Sequence, residues 1–448
     1  MPGTPPVPAT DPQQAYEGLD HAQRLLYERL SALPPAWLDA DTVAAVAHIG
    51  SGAADWHLES LSEQGLLETC QPAPEQPSRY RLSPGASEHA ARMLSRRGNA
   101  PAVRTDVVLG AAQWLLICAV RAQMRLTPAQ AYLLQRRGAP PPTPRVPFGS
   151  DLAAVQWLAS QQETFIGLLR ELDGSAFESW RLVTAFWPWF QRGPRSAHGV
   201  WIEAHDIGLR SAVAAGDPQA ARLMGITRAM GLRAGGHPDQ ALAALAEILS
   251  RADDHPDLRD TGQAHLETAR CHLQAGRRPH AERHLSLAAC QWERSRYMRG
   301  LALIHMTRGQ AALTYGTSEE TKDARVLLDA ARTMLLECGT AYDAARALTL
   351  YGQACLADDN PGGAMHSAVK AASVFAQQGA PRWQARAREL EGDARLCQDQ
   401  PGAALTAYRI AAALYAQAGD GTDATRLNQT ADDMTAPEDR TGPAQQDA

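Results

Sequence analysis

The side chains best suited to chemistry in this sequence are guanidinium groups. Arg270, Arg346 and Arg386 fall at spacings that would turn them toward one shared face of successive helices, where planar forks of N–H donors can pair with carboxylates of a peptide or ligand. Arg233 and Asp393 add charge to that face, and Gln263, Gln310 and Gln353 add amides. Met230 and Met306 add thioethers that adapt to an apolar side chain. His280 and His284 have the i, i+4 spacing of metal ligands, with His272 upstream, but no acidic or cysteine partner stands at a supporting spacing, so a solvated helix face is expected. The motifs GxSxG, HExxH and GxGxxG are absent, and the dispersed cysteines and histidines define no nucleophile and base. Binding without catalysis is therefore expected, with no metal and no cofactor.

The elements that would hold these side chains recur about every 40 residues from Arg222 to Leu427. Gly352 and Ala364, Gly392 and Ala404, Ala229 and Ala241, and Ala269 and Ala281 each place a small residue twelve positions before an alanine; Gly309 and Ala324 repeat this more loosely. Helices that cross closely leave no room beyond a Cβ, so the spacing is similar to the crossing of a tetratricopeptide hairpin. With the small residue counted as position 8, positions 2, 5, 9 and 12 of the first helix share a face at about 3.6 residues per turn. That face holds every candidate named above as polar or thioether, together with Leu223, Ile226, Leu266 and Leu303. Stacked hairpins build a long surface suited to binding a protein, a peptide or a small signal ligand. Taken singly, each of these residues is expected to contact neighbouring repeats or water, while the groove as a whole is expected to bind. Alanine at Arg270, Arg346 and Arg386 together is expected to weaken an acidic partner without unfolding the solenoid.

The 448 residues carry a formal net charge of -6, which disfavours nonspecific nucleic-acid binding by the chain as a whole. Lys322 and Lys370 are the only lysines, an arginine bias that reflects GC-rich codons. The seven cysteines (Cys70, Cys118, Cys271, Cys290, Cys338, Cys355, Cys397) are scattered and never spaced CxxC, so a reducing cytoplasm is expected. The opening MPGTPPVPATDPQQ lacks the basic start and apolar run of a signal peptide. The most apolar stretch, Val107 to Val120, reads as too short to span a bilayer and contains Gln113, so no membrane contact is expected.

Residues 1–18 read as a disordered lead, and 19–98 as a winged-helix-like domain with helices ending near Leu33, running from Asp41 to Ile49 and from Ala53 to Gln64. A proline-containing turn from Gln71 to Ser78 leads to a strand at Arg79–Leu82. Residues 99–137 form a helical bridge with helices near Thr105–Gln123 and Pro128–Gln135. An extended linker, 138–150, carries Pro140, Pro141, Pro142, Pro144 and Pro147. Residues 151–427 form the solenoid and 428–448 a disordered tail. The fold class is all-α: an N-terminal winged-helix-like domain followed by a tetratricopeptide-type α-solenoid.

Winged helix, helical bridge, proline-rich linker, Trp157 with its helix, the aromatic run Phe186-Trp187-Pro188-Trp189-Phe190 and the 40-residue repeats follow one another in an order that resembles the actinobacterial antibiotic-regulator proteins. These are signal-transduction ATPases of the NB-ARC type, and the likeness spans roughly Leu19 to Leu427. It implies a regulatory role in transcriptional control of specialised metabolism or development. Two family features are missing. No GxxxxGK[ST] loop is present to cradle phosphates, and Ser83-Pro84 stand where the family has its nucleotide-sensing His-Asp pair. The implied chain is a relative without the nucleotide switch, with a separate NTPase as one possible partner. The aromatic run is expected to pack as core.

The helix that would enter DNA, from Ala53 to Gln64, aligns Asp55, Glu59 and Glu63 on one stripe and has no arginine or lysine. Phosphates dominate affinity for DNA, so direct binding is disfavoured. Two alternatives to the binding module stand: a ligand-responsive transcription factor using the winged helix, and an adaptor for a biosynthetic enzyme or separate NTPase.

Overall fold

The computed structural model describes residues 11–71, 77–130, 148–194, 197–251 and 257–435. These described residues fall into two compact units, the first comprising those up to 191 together with 199–231, the second the remainder.

In the first unit, helices α1 (Pro12–Gly18), α2 (His21–Leu30), α3 (Ala40–Ala47) and α4 (Ser51–Glu63) precede strands β1 (Leu67–Cys70) and β2 (Arg79–Leu82). Each start has a local cause. Asp11 caps α1, Asp20 and Gln23 form a capping box on α2, and Asp39 accepts from the Thr42 amide at the head of α3. The two strands pair antiparallel from Leu67 opposite Leu82 to Cys70 opposite Arg79, and Leu38 makes a bridge with Tyr80. Helix α5 (Pro84–Ser95) begins where Ser83-Pro84 were singled out: proline occupies its first position, where no N–H partner exists to lose.

Helix α1 corrects the reading of 1–18 as a disordered lead. Asp11 satisfies its amide end, Ala15 is buried, and His89 of α5 contacts Gln13 at 2.9 Å. A second correction concerns the apolar stretch at Val107. It belongs to α6 (Ala100–Leu126), 27 residues long and apolar enough to cross a membrane by length and composition, with 61% of its apolar window buried in the protein. At Gly110 a Cβ would stand 3.9 Å from the backbone of Ala45 and Val46, so α3 lies close against this helix. Residues 128–130 form a 3-10 turn; the rest of the helix read to Gln135, and linker residues 138–147, lie outside the described residues, as do residues 72–76 of the turn before β2. Helices α7 (Asp151–Ser160), α8 (Gln162–Leu172), α9 (Ser179–Ala185), α10 (Trp187–Arg192) and α11 (His198–Ala214) follow. The aromatic run is buried, with Phe186 stacked on Phe165 at 4.0 Å.

Helix α12 (Pro218–Ala234) carries the chain from the first unit to the second, which continues with α13 (Pro238–Ser250), α14 (Leu258–Gln274), α15 (Arg278–Arg294), α16 (Met298–Tyr315), α17 (Ser318–Glu337), α18 (Ala341–Ala357), α19 (Pro361–Gln377), α20 (Pro381–Leu396), α21 (Pro401–Gln417) and α22 (Gly421–Asp433). This is an α-solenoid of tetratricopeptide type. Helices α14, α16, α18 and α20 are the first members of successive hairpins and touch one another side by side, and α15, α17, α19 and α21 pack against them. Proline opens α13, α19 and α21, fixing φ where the chain re-enters helix. The hairpin turn before α21 holds Asp399 at a φ of 58°.

The small-residue signature has the physical cause assigned to it. Ala364, Ala404, Ala281 and Ala324 are all essentially inaccessible. A Cβ on Gly352 would lie 2.8 Å from Leu390 and 3.3 Å from the Ala364 carbonyl, and one on Gly392 would lie 2.5 Å from the Tyr408 ring. Helix α22 runs to Asp433, which corrects the start of the tail at 428; Leu427 and Ala431 bury its inner face. Residues 436–448 lie outside the described residues.

Candidate functional site

Charged side chains on the first helices of the second unit form linked groups of two arginines to one acid. Glu267 on α14, wholly buried, accepts from Arg270 at 2.7 Å and from Arg233 at 3.2 Å, and Gln263 donates to it at 3.0 Å. Asp343 on α18, 3% exposed, receives Arg299 of α16 at 2.5 Å and Arg346 at 3.0 Å. Burial alone would raise the Asp343 carboxyl, but the charges of Arg299 and Arg346 outweigh it and hold it at about 2. Glu267 is lowered in the same way, its burial outweighed by Arg270 and Arg233. Arg270 is itself lowered, chiefly by burial, with Arg233 and Arg346 adding to the effect and Glu267 opposing it. Both partners of that pair shift downward because two cations outweigh burial at Glu267, whereas at Arg270 burial, aided by Arg233 and Arg346, outweighs the single acid.

Next to the second group lie three aromatic rings. Trp383 of α20 stacks on Phe375 of α19 at 5.8 Å, and Phe375 meets Tyr342 of α18 edge-on at 5.9 Å. Guanidiniums lie over these rings: Arg192 is 4.3 Å from the Tyr342 centroid, and Arg346 and Arg386 are 5.0 Å and 5.2 Å from that of Trp383. Glu389, the acid whose charge acts on Arg386, is already engaged by the Tyr415 hydroxyl at 2.9 Å and by Arg426 at 2.7 Å. The arrangement can hold an anion against a flat apolar surface.

The structure thus brings Arg233, Gln263 and Arg270 into one group, and Arg346 and Arg386 onto one ring. It separates the rest. Met306 is 1% exposed in the core with Leu266 and Leu303, which corrects its reading as a groove residue: neighbouring first helices close over its position. Met230 is half-buried and belongs to the first unit. Gln310 is exposed, Gln353 is half-buried, and Asp393 accepts from the Tyr408 hydroxyl at 2.7 Å. The expectation that Arg270, Arg346 and Arg386 can be removed together without harm is also corrected. Two of the three compensate buried carboxylates, so their loss strands charge in the interior. Sequence reasoning missed Glu267, Asp343, Tyr342 and Trp383. The i, i+3 spacing of Glu267 with Arg270 and of Asp343 with Arg346 was the available signal.

His280, His284 and His272 do gather between α14 and α15, joined by His265, whose Nδ1 lies 3.1 Å from that of His284. Among the described residues, no three His, Cys, Asp or Glu side chains are placed to hold a metal ion. Burial pushes the Cys118 and Cys271 thiols up to about 12, which removes thiolate character at neutral pH. In the first unit, a surface groove of about 480 Å³ is lined by ion pairs that satisfy each other, Arg170 with Glu203 and Arg210 with Asp173. The outer face of α4 exposes Asp55, Glu59 and Glu63 beside Trp56, which is 56% exposed.

No protein-family model matches the sequence, and no curated protein matches it. Among solved structures, a signal transduction ATPase with numerous domains from Pyrococcus horikoshii, which has a tetratricopeptide repeat sensor, aligns with a TM-score of 0.43 and 12% identity over 94% of this chain. This chain spans 64% of that protein's length. A Rap protein complexed with competence and sporulation factor aligns with a TM-score of 0.42 and 10% identity, over 72% of this chain and 95% of its own. BtubC from P. vanneervenii aligns with a TM-score of 0.36 and 15% identity, over 57% of this chain and 94% of its own. At these TM-scores, function has to be argued from the chain's own residues.

Proposed function

We propose that the chain acts without catalysis as a cytoplasmic regulatory module whose first-helix layer in the second unit binds a protein or peptide. The observation that carries this reading is the surface around Trp383, where Arg346 and Arg386 share one indole. Guanidinium and indole are the groups most enriched where protein partners anchor, because each combines a flat apolar face with directed donors. No step of covalent chemistry is needed for such a surface to work. The likeness to the antibiotic regulators supports transcriptional control of specialised metabolism or development as the process served. Helices α2, α3 and α4 followed by the paired strands β1 and β2 support the winged-helix reading of this region, and in that reading the module makes protein contacts. Its exposed carboxylates at Asp55, Glu59 and Glu63 oppose a phosphate backbone.

Affinity capture of the tagged protein from its native cytosol, with and without nuclease, tests the reading. A protein partner retained after nuclease supports it. Recovery of DNA alone, lost on nuclease treatment, would establish the transcription-factor alternative instead.

A further inference from the structure

We infer that the partner is an acidic peptide segment, and that one of its carboxylates is seated between the guanidiniums of Arg346 and Arg386 over the indole of Trp383. This rests on the proposed peptide-binding reading of the first-helix layer. Three observations on different atoms converge on the site.

The first is an imbalance of charge. Arg299 and Arg346 share the single carboxylate of Asp343, and Arg386 makes no ion pair with any described residue, because Glu389 is taken by Tyr415 and Arg426. Two like charges are therefore held over one ring, and of the two only Arg346 has an anion, the Asp343 carboxylate, among the described residues. The second is an unmet donor: Nε of Arg346 is buried and has no hydrogen-bond partner among the described residues. A donor in that state is unfavourable until an acceptor arrives. The third is the platform. Trp383 is held by Phe375 behind it, so a ligand meets a ring already fixed in place. Burial also disfavours the charged form of Arg386, as do Arg382 and Arg346, while Tyr415 and Glu389 only partly oppose this. An added carboxylate reverses that balance.

The distribution of charge selects a peptide over a nucleic acid. Arg233 and Arg270 share Glu267, and Arg386, farther along the layer, has no ion pair among the described residues, so unmatched positive charge comes at separated positions along the helix layer. Side-chain carboxylates spaced along an extended peptide fit such steps. A phosphate backbone carries a charge at every nucleotide and would leave most of them unmatched by such separated steps.

The test uses the full chain and fluorescence anisotropy with three labelled probes: a peptide of alternating glutamate and serine, the same peptide with glutamine for glutamate, and oligothymidylate of equal length. The glutamate peptide should bind, and the glutamine peptide about tenfold more weakly or not at all, the effect of one charge-assisted pair. Arg386→Gln should weaken the glutamate peptide about tenfold, with unchanged helicity by circular dichroism. Arg386→Lys should recover only part of the loss, because an ammonium lacks the planar fork. Equal binding of the two peptides, an unaffected Arg386→Gln variant, no binding of the glutamate peptide, or tighter binding of the oligonucleotide would each overturn the inference. Affinity capture separates this from failure of the broader reading. A protein partner held equally by wild type and Arg386→Gln leaves the binding role standing and removes the subsite, whereas a wild-type capture with no protein removes both.

Discussion

Asparagine in place of Asp343 keeps the side chain's shape and removes the one negative charge that Arg299 and Arg346 share. The carboxyl is held at about 2 against an ordinary value of 3.8. At about 1.4 kcal/mol per unit, the charged form contributes roughly 2.5 kcal/mol at neutral pH. Stranding a cation in a buried pair costs about 3 to 5 kcal/mol. The arginines are not equally buried, with Arg299 at 8% side-chain exposure and Arg346 at 20%, so water takes up part of the charge and a loss of about 2 to 4 kcal/mol is expected. Repeat proteins open locally, so the readout is native-state hydrogen exchange on peptides covering α16 and α18. A folded carboxyl with a depressed value stabilises above the unfolded value and ceases to do so as pH falls from about 3.8 toward 2, so the wild type should converge on the variant in that window. Adding Arg346→Met to the variant should restore part of the loss, since one stranded cation is removed. An opening free energy for Asp343→Asn within about 0.5 kcal/mol of wild type would refute the claim that this group holds α16 to α18.

Gly262→Ala would place a Cβ 2.4 Å from Nε1 of Trp292 and should destabilise α14 against α15 by about 1 to 3 kcal/mol, read as a lowered urea midpoint. His205 is fully buried and burial lowers it to about 4, so the unfolded chain binds its proton first; stability should fall by roughly 3 kcal/mol as pH drops from about 6.5 to 4, and His205→Gln should flatten that dependence in hydrogen exchange on α11. Gel-shift titrations should show no salt-dependent binding of the full chain to promoter fragments, because α4 presents Asp55, Glu59 and Glu63 outward.

The solenoid was legible because its defining constraint is steric and local. A residue such as Gly352 or Ala364 is small for a reason that spacing alone reveals. The face of each helix was less legible. Met306 satisfies the same periodicity as Arg270, yet neighbouring first helices cover it, and periodicity carries no information on how closely helices from different repeats approach. The neutralising acids were hidden for a related reason. Arg233 meets Glu267 across 34 residues and Arg299 meets Asp343 across 44, contacts that exist only once the hairpins have stacked. Helix α1 was missed because its stability depends on His89 and other residues of α5, far along the chain.

The most direct test of the binding role is hydrogen exchange on the captured complex against the free protein. The account requires new protection in α18 and α20, around Arg346, Trp383 and Arg386, with α4 and the β1–β2 hairpin unchanged. Protection confined to α4 and that hairpin, with α18 and α20 exchanging as in the free chain, would contradict it.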